Sequence, residues 1–288
     1  MGLLPAGLLE KLSRLTLRSG RRKAGAAGGE HRSIRRGQSQ EFADHRPYVP
    51  GDDLRFLDWH VFGRLDALWI KLFEEEDDRV VQILVDCSAS MEGEKLAYAR
   101  QVAASLAWLA LGANDRVSVG AVADTLRSYD PPRRGRSAGP AIFRTIEAMQ
   151  PGGPTDLGRC LDTLPRQRGA GLALLFTDLL YADGPDSALR RLMARGFDVH
   201  VLHLLSPVDL RPGLDGDVVL VDAETGEELA ATIDDDVLDR YEATLKAWSD
   251  EMEATCRRLG CGYSRILTST PLEELILGDL RRAGLVDR

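Results

Sequence analysis

Val80-Val81-Gln82-Ile83-Leu84-Val85-Asp86-Cys87-Ser88-Ala89-Ser90 decides how this chain is read. Its first six residues make an apolar run of strand length, interrupted only by Gln82, as expected of a strand buried on both faces of a parallel sheet. Asp86, Ser88 and Ser90 then leave the strand end at alternate positions. They bring one carboxylate and two hydroxyls to the place where open α/β sheets bind ligands. Hard oxygen donors of this kind suit a divalent cation. The same residue types also cap helices, and a helix is expected from Gly93 onward, so the pentapeptide alone fits a strand-to-helix turn equally well.

Two further oxygen donors stand where a strand-end site needs them. Leu172-Ala173-Leu174-Leu175-Phe176-Thr177-Asp178 is a second buried-strand run ending in a carboxylate, and Gly152-Gly153-Pro154-Thr155-Asp156 is a glycine-rich loop bearing a hydroxyl. In this order the set resembles the metal-ion-dependent adhesion site of von Willebrand factor A (vWA) domains, with D-x-S-x-S first, a loop Thr second and a strand-end Asp third. The resemblance implies that Ser88, Ser90 and Thr155 touch the metal directly, with Asp86 and Asp178 held nearby, often through water. Carboxylate, hydroxyl and water ligands suit Mg2+, with Mn2+ or Ca2+ as competitors. An octahedral ion held by these groups keeps an open position, which an Asp or Glu of a partner protein would complete.

A second signature lies upstream. Gly37-Gln38-Ser39-Gln40-Glu41-Phe42-Ala43-Asp44-His45-Arg46-Pro47-Tyr48-Val49-Pro50-Gly51-Asp52-Asp53-Leu54-Arg55, followed by Asp58-Trp59, resembles the hallmark segment of the DUF58 family, whose members carry a vWA-like domain after it. His60 stands where the family commonly has Lys, and His45 where Tyr is frequent. The implied organisation is a basic N-terminal arm over 1–36, a signature segment over 37–78 packed on the main domain, and a vWA-like domain over 79–288. The resemblance further implies a non-catalytic interaction module whose partner is a MoxR-type AAA+ ATPase or its client, engaged through a carboxylate.

The net charge of -8 argues against a general nucleic-acid binder. A local basic patch nevertheless exists near the N-terminus, where Lys11, Arg14, Arg18, Arg21, Arg22, Lys23, Arg32, Arg35 and Arg36 face only Glu10 and Glu30. It reads as a solvated arm able to touch an acidic partner or anionic lipid. Leu3, Leu4, Leu8, Leu9, Leu12, Leu15 and Leu17 form a short amphipathic pattern within it. No apolar run approaches the ~18 residues that a membrane span requires, so a cytoplasmic protein is expected. Cys87, Cys160, Cys256 and Cys261 show neither C-x-x-C nor zinc spacing and read as reduced structural thiols.

The remaining segments alternate as a doubly wound, mostly parallel α/β sheet flanked by helices requires. Helices are expected over 95–111, 141–149, 157–164 and 187–194, and strands over 117–121, 172–177 and 199–205. Residues 125–129 form an antiparallel edge strand. Residues 218–222 and 229–232 flank Glu224-Thr225-Gly226 as a surface β-hairpin. A helix capped by Asp234, Asp235 and Asp236 carries Leu238, Tyr241, Leu245, Trp248, Met252 and Leu259 at helical spacing, read as a core-facing stripe. A strand over 264–267 and a helix over 271–282 complete the chain.

Other candidate sites are weaker. His200 and His203, three apart on a strand, point to opposite faces and do not share a metal. The acids from Glu74 to Asp78 read as a solvated turn. Trp59, between Asp58 and His60, reads as packing under the sheet. Arg46, Asp52, Asp53 and Arg55 form an ion-pair cluster or a partner-facing surface. A Mg2+-dependent phosphatase or other hydrolase is the enzymatic alternative, and a structural interaction protein with a vestigial metal site the third. The D-x-D-x-[TV] nucleophile motif fails at Ser88, and neither a phosphate loop nor a G-x-S-x-G elbow is present.

Overall fold

A computed structural model of the chain describes residues 3–18, 40–75, 79–166, 171–180 and 184–287, the side chains of 6, 40–44 and 71–75 excepted. The chain forms two compact units. One comprises Met1–Arg22 with Arg79–Arg288, the other Lys23–Asp78.

The larger unit begins with α1 (Ala6–Leu12) and β1 (Thr16–Leu17). Here the expectation of a solvated arm is corrected for the segment from Leu4 to Leu17. Leu4, Leu8, Leu12, Leu15 and Leu17 are all buried in the main core. Leu8 and Leu12, four apart, share one face of α1, and Leu4, just before the Pro5 cap, joins them in the core; removing these side chains from water outweighs the cost of ordering so short a helix. The charged residues stay outside: Lys11 pairs with Glu273 at 2.6 Å and Arg18 with Asp287 at 3.4 Å. Arg21, Arg22, Lys23, Arg32, Arg35 and Arg36 lie outside the described residues.

The smaller unit pairs β2 (Gln40–Pro47) antiparallel with β3 (Trp69–Glu75), with a register shift between Phe42 and Asp44. Between them runs α2 (Trp59–Leu65), whose N-terminus is capped by Asp58; its Oδ1 accepts from the His60 and Val61 amides at 2.9 and 3.2 Å. The other Asp58 oxygen lies 2.8 Å from His45 Nε2. Trp59 does not pack under a sheet: it is 66% exposed and meets Phe62 edge-on. Its position just after the cap turns it away from the strands, while Asp58 takes the buried place. Arg46 and Asp52 form a bidentate pair at 2.6 and 2.7 Å, and Arg55 pairs locally with Asp53. The Arg46 guanidinium and the Val49 amide hold the Asp52 carboxyl down at about 2. Gly37 to Ser39 and the acids at 76–78 lie outside the described residues, as do the side chains of Glu74 and Glu75.

The central sheet of the larger unit contains β4 (Val80–Asp86), β5 (Arg116–Val122), β6 (Leu126–Arg134), β7 (Gly171–Thr177), β8 (Phe197–Leu205) and, late in the chain, Gly262–Leu267. Its order is Gly262–Leu267, β8, β7, β4, β5, β6, parallel throughout except for β6 at one edge. This is the doubly wound, mostly parallel α/β sheet expected. Every residue of β4 and β7 is buried, as strands covered on both faces must be. One face carries α3 (Glu94–Gly112), α4 (Gly139–Glu147) and the N-terminal leucines; the other carries α5 (Leu157–Thr163) and α6 (Asp186–Ala194). Because β5 and β7 flank β4, the winding reverses beside β4, and the crevice falls at its carboxyl end.

After β8 come the short helix α7 (Pro207–Leu210), the hairpin of β9 (Gly216–Val221) and β10 (Glu228–Ile233), and α8 (Asp235–Leu259), which starts at an Asp234 cap and stops at Gly260 in the left-handed region. The stripe on α8 differs from the expected core face. Trp248, Met252 and Leu259 pack half-buried against the core, whereas Tyr241 is 39% exposed, and the fully buried residues are Ser249, Thr255 and Cys256. A helix of 25 residues spans about 37 Å. The six-residue strand after it, β11 (Gly262–Leu267), spans about 20 Å, so α8 is much longer than the edge strand that follows it. The expected terminal helix contains a π turn, Leu275–Asp279, between Leu272–Glu274 and Leu280–Arg282, and β12 (Val286–Asp287) closes back on β1.

Candidate functional site at the carboxyl end of the central strand

Asp86 ends β4 with its side chain fully excluded from solvent. Its Oδ1 accepts from the Ser88 amide at 2.9 Å, which curls the chain back and carries Ser88 and Ser90 over the strand end. The two serine hydroxyls lie 3.0 Å apart. A second loop is laced to this one through backbone bonds, from Ala89 N to Gly153 O at 2.8 Å and from Gly152 N to Cys87 O at 3.0 Å. Gly153 is called for by its backbone, with φ at +70°. A Cβ there would come within 2.8 Å of the Arg127 guanidinium, but that side chain could swing aside.

The lacing brings the Thr155 hydroxyl to 3.3 Å from Asp86 Oδ1. Asp86, Ser88, Ser90 and Thr155, predicted from four separate positions, therefore form one cluster. Asp178, the fifth, is buried beside it but engaged elsewhere: Lys95 Nζ on α3 donates to its Oδ2 at 2.7 Å, and the Leu180 amide to its Oδ1 at 3.2 Å.

Three residues were not singled out from the sequence. Thr177 donates to Asp86 Oδ2 at 2.8 Å from the neighbouring strand end, and its only sequence signal is a hydroxyl closing an apolar run. Lys95 stands in a helix otherwise read as Ala- and Leu-rich. Glu224, at the tip of the β9–β10 hairpin, lies 3.3 Å from the Thr155 amide and 3.5 Å from its hydroxyl. Nothing local signals that approach.

The electrostatics are uneven. Lys95 offsets Asp178, with Asp209 at 3.6 Å sharing the ammonium. Asp86 has no ion-pair partner among the described residues. Burial, reinforced by the like charge of Asp178, pushes its carboxyl up to about 6 against the pull of the Ser88 amide and Thr177 hydroxyl. Among the described residues no three His, Cys, Asp or Glu side chains converge as a metal centre, so a cation here would depend on hydroxyl donors beside the carboxylates. The Cys87 thiol turns away toward Val85 O, and all four cysteines are free and buried. His200 and His203 contact Ser264 and Tyr263, adjacent residues on β11 and hence on opposite faces of the sheet.

An open, mostly parallel α/β sheet with a buried carboxylate and hydroxyls at its switch point defines the class of protein. The chain belongs to the DUF58 family, described as a protein of unknown function, whose family model matches residues 44–251. The uncharacterized protein Rv1480 of Mycobacterium tuberculosis (strain ATCC 25618 / H37Rv) is 30% identical over 250 residues, 83% of this chain and 77% of the relative. The uncharacterized protein MAV169 of Mycobacterium avium is 34% identical over 137 residues, 45% of this chain and 79% of that one. Among solved structures, BatB from Bacteroides thetaiotaomicron aligns at a TM-score of 0.42 and 16% identity, covering 72% of this chain and 98% of its own. An aerotolerance-related membrane protein from Bacteroides fragilis NCTC 9343 aligns at 0.44 and 16% identity, covering 71% and 99%.

Proposed function

We propose that this chain is a non-catalytic interaction module that holds a divalent cation, Mg2+ before Mn2+ or Ca2+, at the carboxyl end of β4 and uses it to dock a carboxylate of a partner protein. One observation carries the reading: a fully buried Asp86 with no cationic side chain paired to it among the described residues, accepting from the Thr155 and Thr177 hydroxyls and the Ser88 amide, with the paired Ser88 and Ser90 hydroxyls on the same loop. An isolated buried carboxylate is costly unless it is protonated or compensated, and an all-oxygen donor set suits a hard cation.

In this reading Ser88, Ser90 and Thr155 would hold the ion directly. Asp86 and Asp178 would supply negative charge behind them, Thr177 fixing the Asp86 carboxylate and Lys95 the Asp178 carboxylate. When bound, the cation would supply a Lewis-acidic position for an incoming Asp or Glu. The partner proposed is a MoxR-type AAA+ ATPase or its client, on the strength of the DUF58 and vWA resemblance. Among the described residues no helix is long and apolar enough to cross a membrane.

Calorimetric titration of the full chain with Mg2+ and Mn2+, beside Asp86→Asn, tests the cation. Capture of the ATPase with and without EDTA tests the docking. Metal binding and capture are both expected to vanish in the variant. No heat at millimolar metal, or capture that survives both EDTA and the substitution, sinks the reading.

A further inference from the structure

The β9–β10 hairpin hydrogen bonds to the site through Glu224. Its strands stand largely in solvent, with Val219, Val221 and Leu229 each more than half exposed. Over residues 221–230 only Glu224 is not exposed. The turn that presents it is set by its own bonds: Asp222 Oδ1 accepts from the Glu224 and Thr225 amides at 2.9 and 2.6 Å and from the Thr225 hydroxyl at 3.0 Å. Gly226 N closes the turn on Asp222 O at 2.9 Å, with φ at +73°. A preformed turn therefore directs one carboxylate onto Thr155.

That placement sets two carboxylates against one hydroxyl. Thr155 Oγ1 lies 3.3 Å from Asp86 Oδ1 and 3.5 Å from Glu224 Oε1, and a hydroxyl has only one hydrogen to donate. The Thr155 amide, 3.3 Å from Glu224 Oε2, gives Glu224 a second donor, and a positive charge shared by the two carboxylates would favour the arrangement further. Glu224 also has the chemistry expected of a partner's docking residue, and it approaches from the side of the Thr155 loop.

We propose that Glu224 is the chain's own carboxylate ligand for the cation site, occupying the position that a partner's Asp or Glu would take, so that docking proceeds by withdrawal of the hairpin tip. This rests on the cation reading of the preceding section and adds its regulation. The hairpin is suited to withdrawal because little of its surface is buried, so releasing it costs few apolar contacts.

The experiment uses the full chain with Mn2+ alone as probe, reading affinity by calorimetry and the number of water molecules on the ion by water-proton relaxation. Glu224→Gln is expected to weaken Mn2+ about tenfold, through loss of one charged ligand, and to raise the hydration of the bound ion. Hydrogen exchange over residues 216–233 is expected to slow on Mn2+ addition in the parent and not in the variant. Glu227→Gln, the same charge change on an exposed neighbour, is expected to behave as the parent. Asp86-dependent Mn2+ binding that is identical in the parent and Glu224→Gln overturns the inference while leaving the cation site standing. Equal losses in Glu224→Gln and Glu227→Gln overturn it as a general charge effect. Absence of Mn2+ binding by the parent removes both proposals.

Discussion

Lys95 on α3 donates to Asp178 at the end of β7 across 2.7 Å, with the two side chains only 8% and 2% exposed. The pair ties the helix after the first site loop to the strand end that carries the second acid. Removing one partner of a buried pair leaves the other charged and unsolvated, at a cost of about 3–5 kcal/mol. Lys95→Met is expected to lose stability of that order by urea denaturation. Lys95→Met combined with Asp178→Leu is expected to recover much of it, because the acid then left without the ammonium is Asp209, which is partly exposed and held by Ser206. A single variant within about 1 kcal/mol of the parent, as for an exposed pair, would show that water reaches the pair.

Gly171 opens β7 where a side chain has no room. A Cβ there would lie 2.5 Å from the Val80 carbonyl oxygen and 2.8 Å from the Phe197 ring, both on neighbouring strands. The ring can turn aside, but the carbonyl is fixed in the parallel ladder. Gly171→Ala is therefore expected to destabilise the protein by about 1–3 kcal/mol, against the usual small gain from replacing a strand glycine. A thermal melt at or above the parent's would mean that the β4–β7 seam is looser than its register indicates.

The sheet was legible because strands covered on both faces have a distinctive sequence form. Val80 to Val85 and Leu172 to Phe176 are nearly unbroken apolar runs, and their ends mark the crevice. Asp86, Ser88 and Ser90 were legible because their grouping is local, and Thr155 because paired glycines mark a loop built for close approach. Thr177, Lys95 and Glu224 were not, since their contacts join residues 91, 83 and 69 positions apart and depend on strand order and hairpin reach. The α8 stripe misled for a related reason. Periodicity gives the face of a helix, whereas the length of the sheet beneath decides how much of that face is covered. Trp59 misled because a large apolar residue within a motif reads as core, although the buried member of that motif is Asp58.

The N-terminal leucines provide a direct test of their place in the core. Leu12 is fully buried in the main core at the last position of α1. Arg79 clamps the same segment from below, donating to the Leu17 carbonyl at 3.0 Å while pairing with Asp115. Leu12→Ala is expected to cost about 2–5 kcal/mol in equilibrium unfolding, the range for truncating a core leucine. A solvated arm would give no measurable change, so an unaltered midpoint would restore the reading that the structure displaced.

His200 makes stability depend on pH. Burial lowers its pKa from 6.5 to about 4, with Ser264 Oγ 2.9 Å from Nε2 and Gly262 pressed against the opposite edge of the ring. Because the folded pKa lies below the unfolded one, the unfolded chain binds the extra proton between these values. The contribution of the neutral imidazole is therefore fully present above pH 6.5 and is lost as the pH falls toward 4. The loss from this one residue is on the order of 3 kcal/mol. Glutamine retains a polar group of similar reach without titrating, so the stability difference between the parent and His200→Gln is expected to shift toward the variant by that amount between pH 7 and pH 4. Measuring the difference at each pH cancels the carboxylates common to both proteins. Parallel stability curves over this range would mean that the ring is already solvated in the folded state, and that the tight seat beside Gly262 does not exclude water.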